Sequence, residues 1–230
     1  QYVGLIYVIA AIGAIVLSFV SNRILQAIGN VNFVLILMST LTILLLLIGF
    51  AFTPLLTIIA FILFLTINPQ IYFNIDIFLD TLIGNDENST GSKRGIILTV
   101  MSIASFFSPI AMSYIVGHEN NLSAVYFVPA GIGLLFIMLV IARFRSFYDP
   151  IYTVIKPLEL LTKTHLNADI KIVLYAQFLL QFFFTWAIIY FPLYLATEIG
   201  LDWDAIGKII AVGLFAFVII EYPAGRLADK

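Results

Sequence analysis

The chain has 230 residues, 62% of them hydrophobic and only 10% charged, with a mean hydropathy of +1.11 and a formal net charge of −2. A soluble domain carries roughly 25% charged residues, so this composition excludes a water-covered surface and points to an integral membrane protein. Cysteine is absent, which excludes disulfides, thiolate metal sites and cysteine nucleophiles; His118 and His165 lie outside the apolar runs, and no His-rich metal site is expected.

The chain begins at Gln1 inside an apolar run and is expected to be a piece of a longer protein. Crossing a bilayer as a helix takes about 20 apolar residues. Six charge-free runs are long enough: 2–20, 31–51, 54–75, 95–116, 122–142 and 172–197. A seventh, 205–220, holds Lys208 near its start, where a lysine can snorkel to the interface. The runs are rich in Ile, Leu and Phe without period-two alternation, which disfavours a β-barrel. The expectation is an all-α integral membrane protein with seven transmembrane helices in a lipid bilayer.

The basic residues orient the spans. The first junction has Arg23, the third Lys93 and Arg94, the fifth Arg143, Arg145, Lys156, Lys163 and Lys171, and the tail Arg226 and Lys230. The second, fourth and sixth junctions have none, and Lys208 lies just beyond the acidic sixth. Ten of the eleven basic residues thus fall on one side, which the positive-inside rule places in the cytoplasm. A multi-pass protein of the cell membrane is expected, its first visible helix running inward. The long basic junction, 143–171, contains Pro150 and Pro157 and is the natural boundary between a first bundle, 1–142, and the start of a second, 172–230.

Polar residues inside the runs are candidates for function, because they are costly in lipid and should face protein or a water-filled cavity. The third run carries Asn68, Gln70 and Asn74 in "TINPQIYFN". The sixth carries Gln177, Gln181 and Thr185 at steps of four, one helical stripe, with Trp186 and Tyr190 beside it. Hydrogen bonding between helices is the competing role for these side chains. At the inner end of the third run Asp76 and Asp80 are one turn apart, and Arg94 opens the next run; the three are expected to form an inner charge cluster. The fourth run spaces Thr99, Ser102, Ser105, Ser108 and Ser113 around Pro109, a pattern suited to close helix packing and a bend. Asp204 and Lys208, four apart, are expected to pair at the surface. No acidic residue lies near the middle of a run.

The chain closes on "GRLADK" (225–230), and "SFVSNR" (18–23) echoes it at an offset of 207 residues. Gly225 lies over Ser18, Leu227 over Val20, Asp229 over Asn22 and Lys230 over Arg23, each stretch following an inward-running helix. A repeat of about 200 residues fits six helices per half. "GRLADK" resembles the start of the signature G-x-x-x-D-(R/K)-x-G-(R/K)-(R/K) of the major facilitator superfamily of secondary transporters. The first copy departs from it, with Ser18 for Gly, Asn22 for Asp and no paired basic residues in "ILQAIGN".

The resemblance implies a facilitator-type helical bundle of two pseudo-symmetric halves. The visible helices would be numbers two to eight of twelve, with 143–171 as the central cytoplasmic loop. Ser18, Asn22, Arg23, Gly225, Arg226, Asp229 and Lys230 would form a cytoplasmic gate that holds the inner ends of the bundles together. Helices four and seven of that fold line the central cavity, which makes Asn68, Gln70, Asn74, Gln177, Gln181, Thr185, Trp186 and Tyr190 the substrate-contact candidates. Gly95, Ala104, Ser108 and Pro109 fall on the helix-five motif of facilitator antiporters, but most of its glycines are replaced here, one by Met112, so antiport does not follow. The implied function is secondary active or facilitative movement of a small solute by alternating access. No cofactor, metal or nucleic acid is expected, and coupling to a proton or cation gradient is left open. A seven-helix receptor or rhodopsin is the alternative; Lys208 lies too close to its helix start for a retinal lysine. A membrane enzyme would need a convergent nucleophile, acid–base pair or metal set, and none is found.

Overall fold

The computed structural model describes residues 3–83, 90–119, 123–152 and 168–229. The described residues form six α-helices and no strand: α1 (Val3–Phe50), α2 (Pro54–Ile83), α3 (Thr90–Glu119), α4 (Ala124–Arg143), α5 (Ala168–Thr197) and α6 (Trp203–Ala228). All six are long and apolar enough to cross a membrane, which agrees with the helical, multi-pass class expected from composition.

The count differs from the seven runs. Runs 2–20 and 31–51, expected as separate helices, are both carried by α1. Arg23 lies inside that helix, exposed, instead of in a junction. No proline interrupts the stretch, so helical hydrogen bonding runs on until Gly29, which has φ 78 and ψ 165 and kinks α1 into two arms. That backbone region is essentially reserved for glycine. A straight helix of this length would extend about 72 Å at 1.5 Å per residue, more than twice a hydrocarbon core.

Two compact units share the helices. The first holds residues 1–85 and 121–154, with α1, α2 and α4; the second holds 86–120 and 155–230, with α3, α5 and α6. The grouping follows packing, and α3 goes with α6.

In the first unit α2 packs on both arms of α1. Thr66 donates to the Ala10 carbonyl (3.4 Å) and Asn30 to the Asn74 carbonyl (3.0 Å), while Ala60 clusters with Leu44 and Ile48 of the second arm. Leu25, Phe33, Leu37, Leu41, Leu45, Ile71 and Ala130 make the main core cluster. The stretch after α4 is bound to the same end: Phe144 and Phe147 pack on Phe78 with ring centroids 4.8 and 4.7 Å away.

In the second unit α3 and α6 run antiparallel in close contact. Gly225 meets Gly91 and Gly95 near one end, Phe106 meets Phe215 (5.5 Å), and Gly207 meets Pro109 and Ser113 near the other. From Gly91 to Pro109 the contact covers about 27 Å of helix axis, close to a membrane core. Of the fourth run's small side chains, Ser113 is buried and packs against Gly207, while Ser105 and Ser108 are exposed. Phe184 of α5 reaches Phe217 of α6 (5.9 Å).

Candidate functional site

The strongest constellation lies where α6 ends on the start of α3. The first turn of a helix leaves N–H groups without partners inside the helix, and α3 has no acidic residue there. Asp229, immediately after α6, supplies the acceptor. Its Oδ1 takes the Gly91 N–H (2.7 Å), and its Oδ2 takes the Ser92 N–H (2.8 Å) and the Ser92 hydroxyl. A carboxylate at a helix N-terminus is also favoured by the helix dipole. The approach needs glycine: a Cβ on Gly225 would lie 3.1 Å from the Gly95 Cα and press on the Gly91 carbonyl, and one on Gly91 would lie 2.5 Å from the Gly225 carbonyl oxygen. Two of the expected gate residues, Gly225 and Asp229, therefore meet in one contact. Arg226 is exposed in the last turn of α6, and Lys230 lies outside the described residues.

The echo stretch in the first unit is built differently. Ser18 receives a hydrogen bond from the Gln70 amide (2.5 Å), and the Ser21 hydroxyl lies 2.7 Å from Gln70 Oε1. Asn22 is half-buried, and Arg23 is exposed. The helix start in this unit is the second arm of α1, and its acceptor is Asp149, in the stretch after α4. Asp149 Oδ1 accepts from the Asn30 N–H (2.8 Å) and from the Tyr152 hydroxyl (2.7 Å), and Gln26 donates to the Tyr152 carbonyl (2.8 Å). A Cβ on Gly29 would fall on the Asp149 carboxylate. Burial, together with the bond to Asp149 and its charge, raises the pKa of Tyr152, so the phenol stays a donor well into alkaline solution. No sequence motif marks Asp149 or Tyr152; the only local signals are an aspartate before a proline and an aromatic pair, "FYDPIY".

The substrate-contact candidates separate by what they bond. Gln70 and Asn74 are buried and engaged, Gln70 with Ser18 and Ser21, and Asn74 with the Gln70 carbonyl (2.6 Å). Asn68 is half-buried and lines a cavity of about 390 Å³ with Phe64, Tyr126 and Pro129. On α5, Gln177, Gln181, Thr185 and Tyr190 are exposed, and Trp186 occupies the expected helical position. In the inner charge cluster, Asp76 and Asp80 are exposed on α2 of the first unit, and Arg94 is exposed at the start of α3 in the second. Asp204 and Lys208 form the expected exposed pair, and Asp202 caps α6 by accepting from the Ala205 N–H (2.7 Å). Glu221, one turn before Gly225, has one carboxylate oxygen buried without a hydrogen-bond partner; its position at the end of "AFVII" was its only sequence signal.

No protein-family model, no curated protein and no solved structure matches this chain.

Proposed function

We propose that this chain belongs to a secondary active or facilitative transporter of the major facilitator type, moving a small solute across the cell membrane by alternating access between two helical bundles. The observation that carries the reading is the Asp229 contact. The aspartate of the one stretch that resembles the facilitator signature caps a helix start 138 residues away, across a glycine contact. In this reading the contact is a reversible latch: formed, it holds the ends of α3 and α6 together, and transport requires it to break and re-form.

Seven spans follow if α1 counts twice. Its arms, 3–28 and 30–50, measure about 39 and about 32 Å at 1.5 Å per residue, each enough for a hydrocarbon core of about 30 Å. Solute contact then falls to the amides that retain hydrogen-bonding capacity. Asn68, Gln177 and Gln181 make no side-chain hydrogen bond among the described residues, whereas Gln70 ties α2 to Ser18 and Ser21 of α1 and Asn74 is fully buried, its amide on the Gln70 carbonyl of its own helix.

The test is solute flux into liposomes containing the purified protein, run against a panel of labelled sugars, amino acids and organic ions. The reading predicts flux of at least one class above empty liposomes, lowered in Gln181→Ala and Asn68→Ala at unchanged protein incorporation. Flux equal to empty liposomes across the panel would count against transport. Unchanged flux in both variants would remove the two amides from the solute path.

A further inference from the structure

A cavity of about 440 Å³ opens in the first unit between the second arm of α1 and the end of α4. Its walls are apolar, from Ile28, Val31 and Leu35 on α1 and Ile141 on α4, and Arg145 and Asn32 stand at its polar end. Arg145 is exposed and makes no ion pair or hydrogen bond among the described residues. Arg143, in the last turn of α4, is exposed and does not line the cavity. Asp149 also borders the cavity, but its Oδ1 is taken by the Asn30 N–H and the Tyr152 hydroxyl, and its Oδ2 rests over Gly29. The start of the second arm thus offsets that carboxylate.

We propose that this cavity binds the headgroup of an anionic phospholipid, with the phosphate on Arg145 and an acyl chain along Ile28, Val31, Leu35 and Ile141. The match is one of charge and level. A guanidinium fork fits a phosphate in a two-pronged arrangement. Basic residues just beyond the apolar part of a span sit where headgroups lie, and Arg145 lies two residues after the end of α4 at Arg143. Asn32 holds one amide N–H on the Ile28 carbonyl (2.8 Å), which leaves its second N–H to donate to a phosphate oxygen and its side-chain carbonyl to accept from a glycerol hydroxyl. With Asp149 offset by the helix start, Arg145 leaves the cavity a net positive charge, which favours an anionic headgroup over a zwitterionic one.

The assignment goes beyond transport and rests only on membrane embedding, which alkaline extraction of the membrane fraction reports separately. The test is native mass spectrometry of the detergent-purified full chain, incubated with equal amounts of phosphatidylglycerol, phosphatidylethanolamine and phosphatidylcholine of distinguishable mass. Phosphatidylglycerol is expected to dominate the retained lipid. Arg145→Gln should reduce its retention about fivefold, the effect of one basic charge at a membrane surface, and Arg145→Lys should restore part of it. Arg23→Gln, an exposed arginine outside the cavity, should leave retention unchanged. Each variant is first checked for a monodisperse, helical state. Equal retention of the three lipids, an unchanged result in Arg145→Gln, or an equal loss in Arg23→Gln would overturn the proposal.

Discussion

At Asn30 and at Gly91 a helix starts without an acidic residue of its own, and in each unit a carboxylate from far along the chain fills the gap. Asp149 reaches back 119 residues in the first unit, and Asp229 reaches back 138 in the second. The two caps share their chemistry but differ in what they tie. Asp149 lies in a non-helical stretch held by Phe144 and Phe147 on Phe78, so its cap fastens a strap to a kink inside one helix. Asp229 ends a helix that packs along much of α3, so its cap fastens one long helix to another. The same hydrogen-bond acceptor thus stabilises a local turn in one place and a long-range contact in the other. Under the proposed transport reading, the second is the contact placed to act as a latch.

Glycine substitutions break the comparison hardest. Gly225→Val would drive a branched side chain into the backbone of Gly91 and Gly95, and overpacking of this kind costs about 3 kcal/mol; thermal unfolding in detergent should show a large loss of stability. Gly29→Ala places a Cβ on the Asp149 carboxylate at a backbone conformation that costs about 1–3 kcal/mol for other residues. It should also release the strap, read as faster tryptic cleavage after Arg143 and Arg145. Equal cleavage rates in Gly29→Ala and the parent protein would remove the strap from the account.

The carboxylates come next. Asp229→Ala removes three hydrogen bonds and should cost about 2 kcal/mol, the upper range for loss of a helix cap. Asp149→Ala removes two and should cost about 1 kcal/mol. The reverse order in thermal unfolding would show that the strap, not the helix contact, carries more stability. Tyr152→Phe gives the smallest effect, about 0.5 kcal/mol, the low end for one hydrogen bond. Because the folded state raises the tyrosine's pKa above the usual 10, its contribution is fully present below that pH and declines as the pH rises further. Tyr152→Phe should flatten this alkaline loss, and an unaltered alkaline profile would place the loss elsewhere.

The apolar runs marked five of the described helices one for one and divided the sixth, α1, into two, because lipid demands long, uninterrupted apolar stretches and little else. Arg23 misled the first boundary: one arginine on an exposed helix face does not end a helix, and Gly29 at positive φ was the real break. Of the candidate site, "GRLADK" was legible because glycine and aspartate at that spacing serve a close helix approach and a cap. Asp149 was not, because a single aspartate in a loop carries no periodicity, and its partner at Asn30 is remote in sequence. Gln70 and Asn74 read correctly as residues that must face protein, yet sequence alone could not separate them from Asn68. That distinction depends on Ser18 and Ser21 standing opposite Gln70.

The central claim is that the Asp229 carboxylate, and not general apolar packing, holds the start of α3 on the end of α6. The absence of native cysteines allows spin labels at Ile96→Cys and Leu227→Cys, both exposed in the folded chain. Electron paramagnetic resonance should give one narrow, short distance in the otherwise unaltered protein, a broadened distribution with a longer component in Asp229→Ala, and no change in Asp149→Ala. An unchanged distribution in Asp229→Ala, or the same broadening in Asp149→Ala, would contradict the claim.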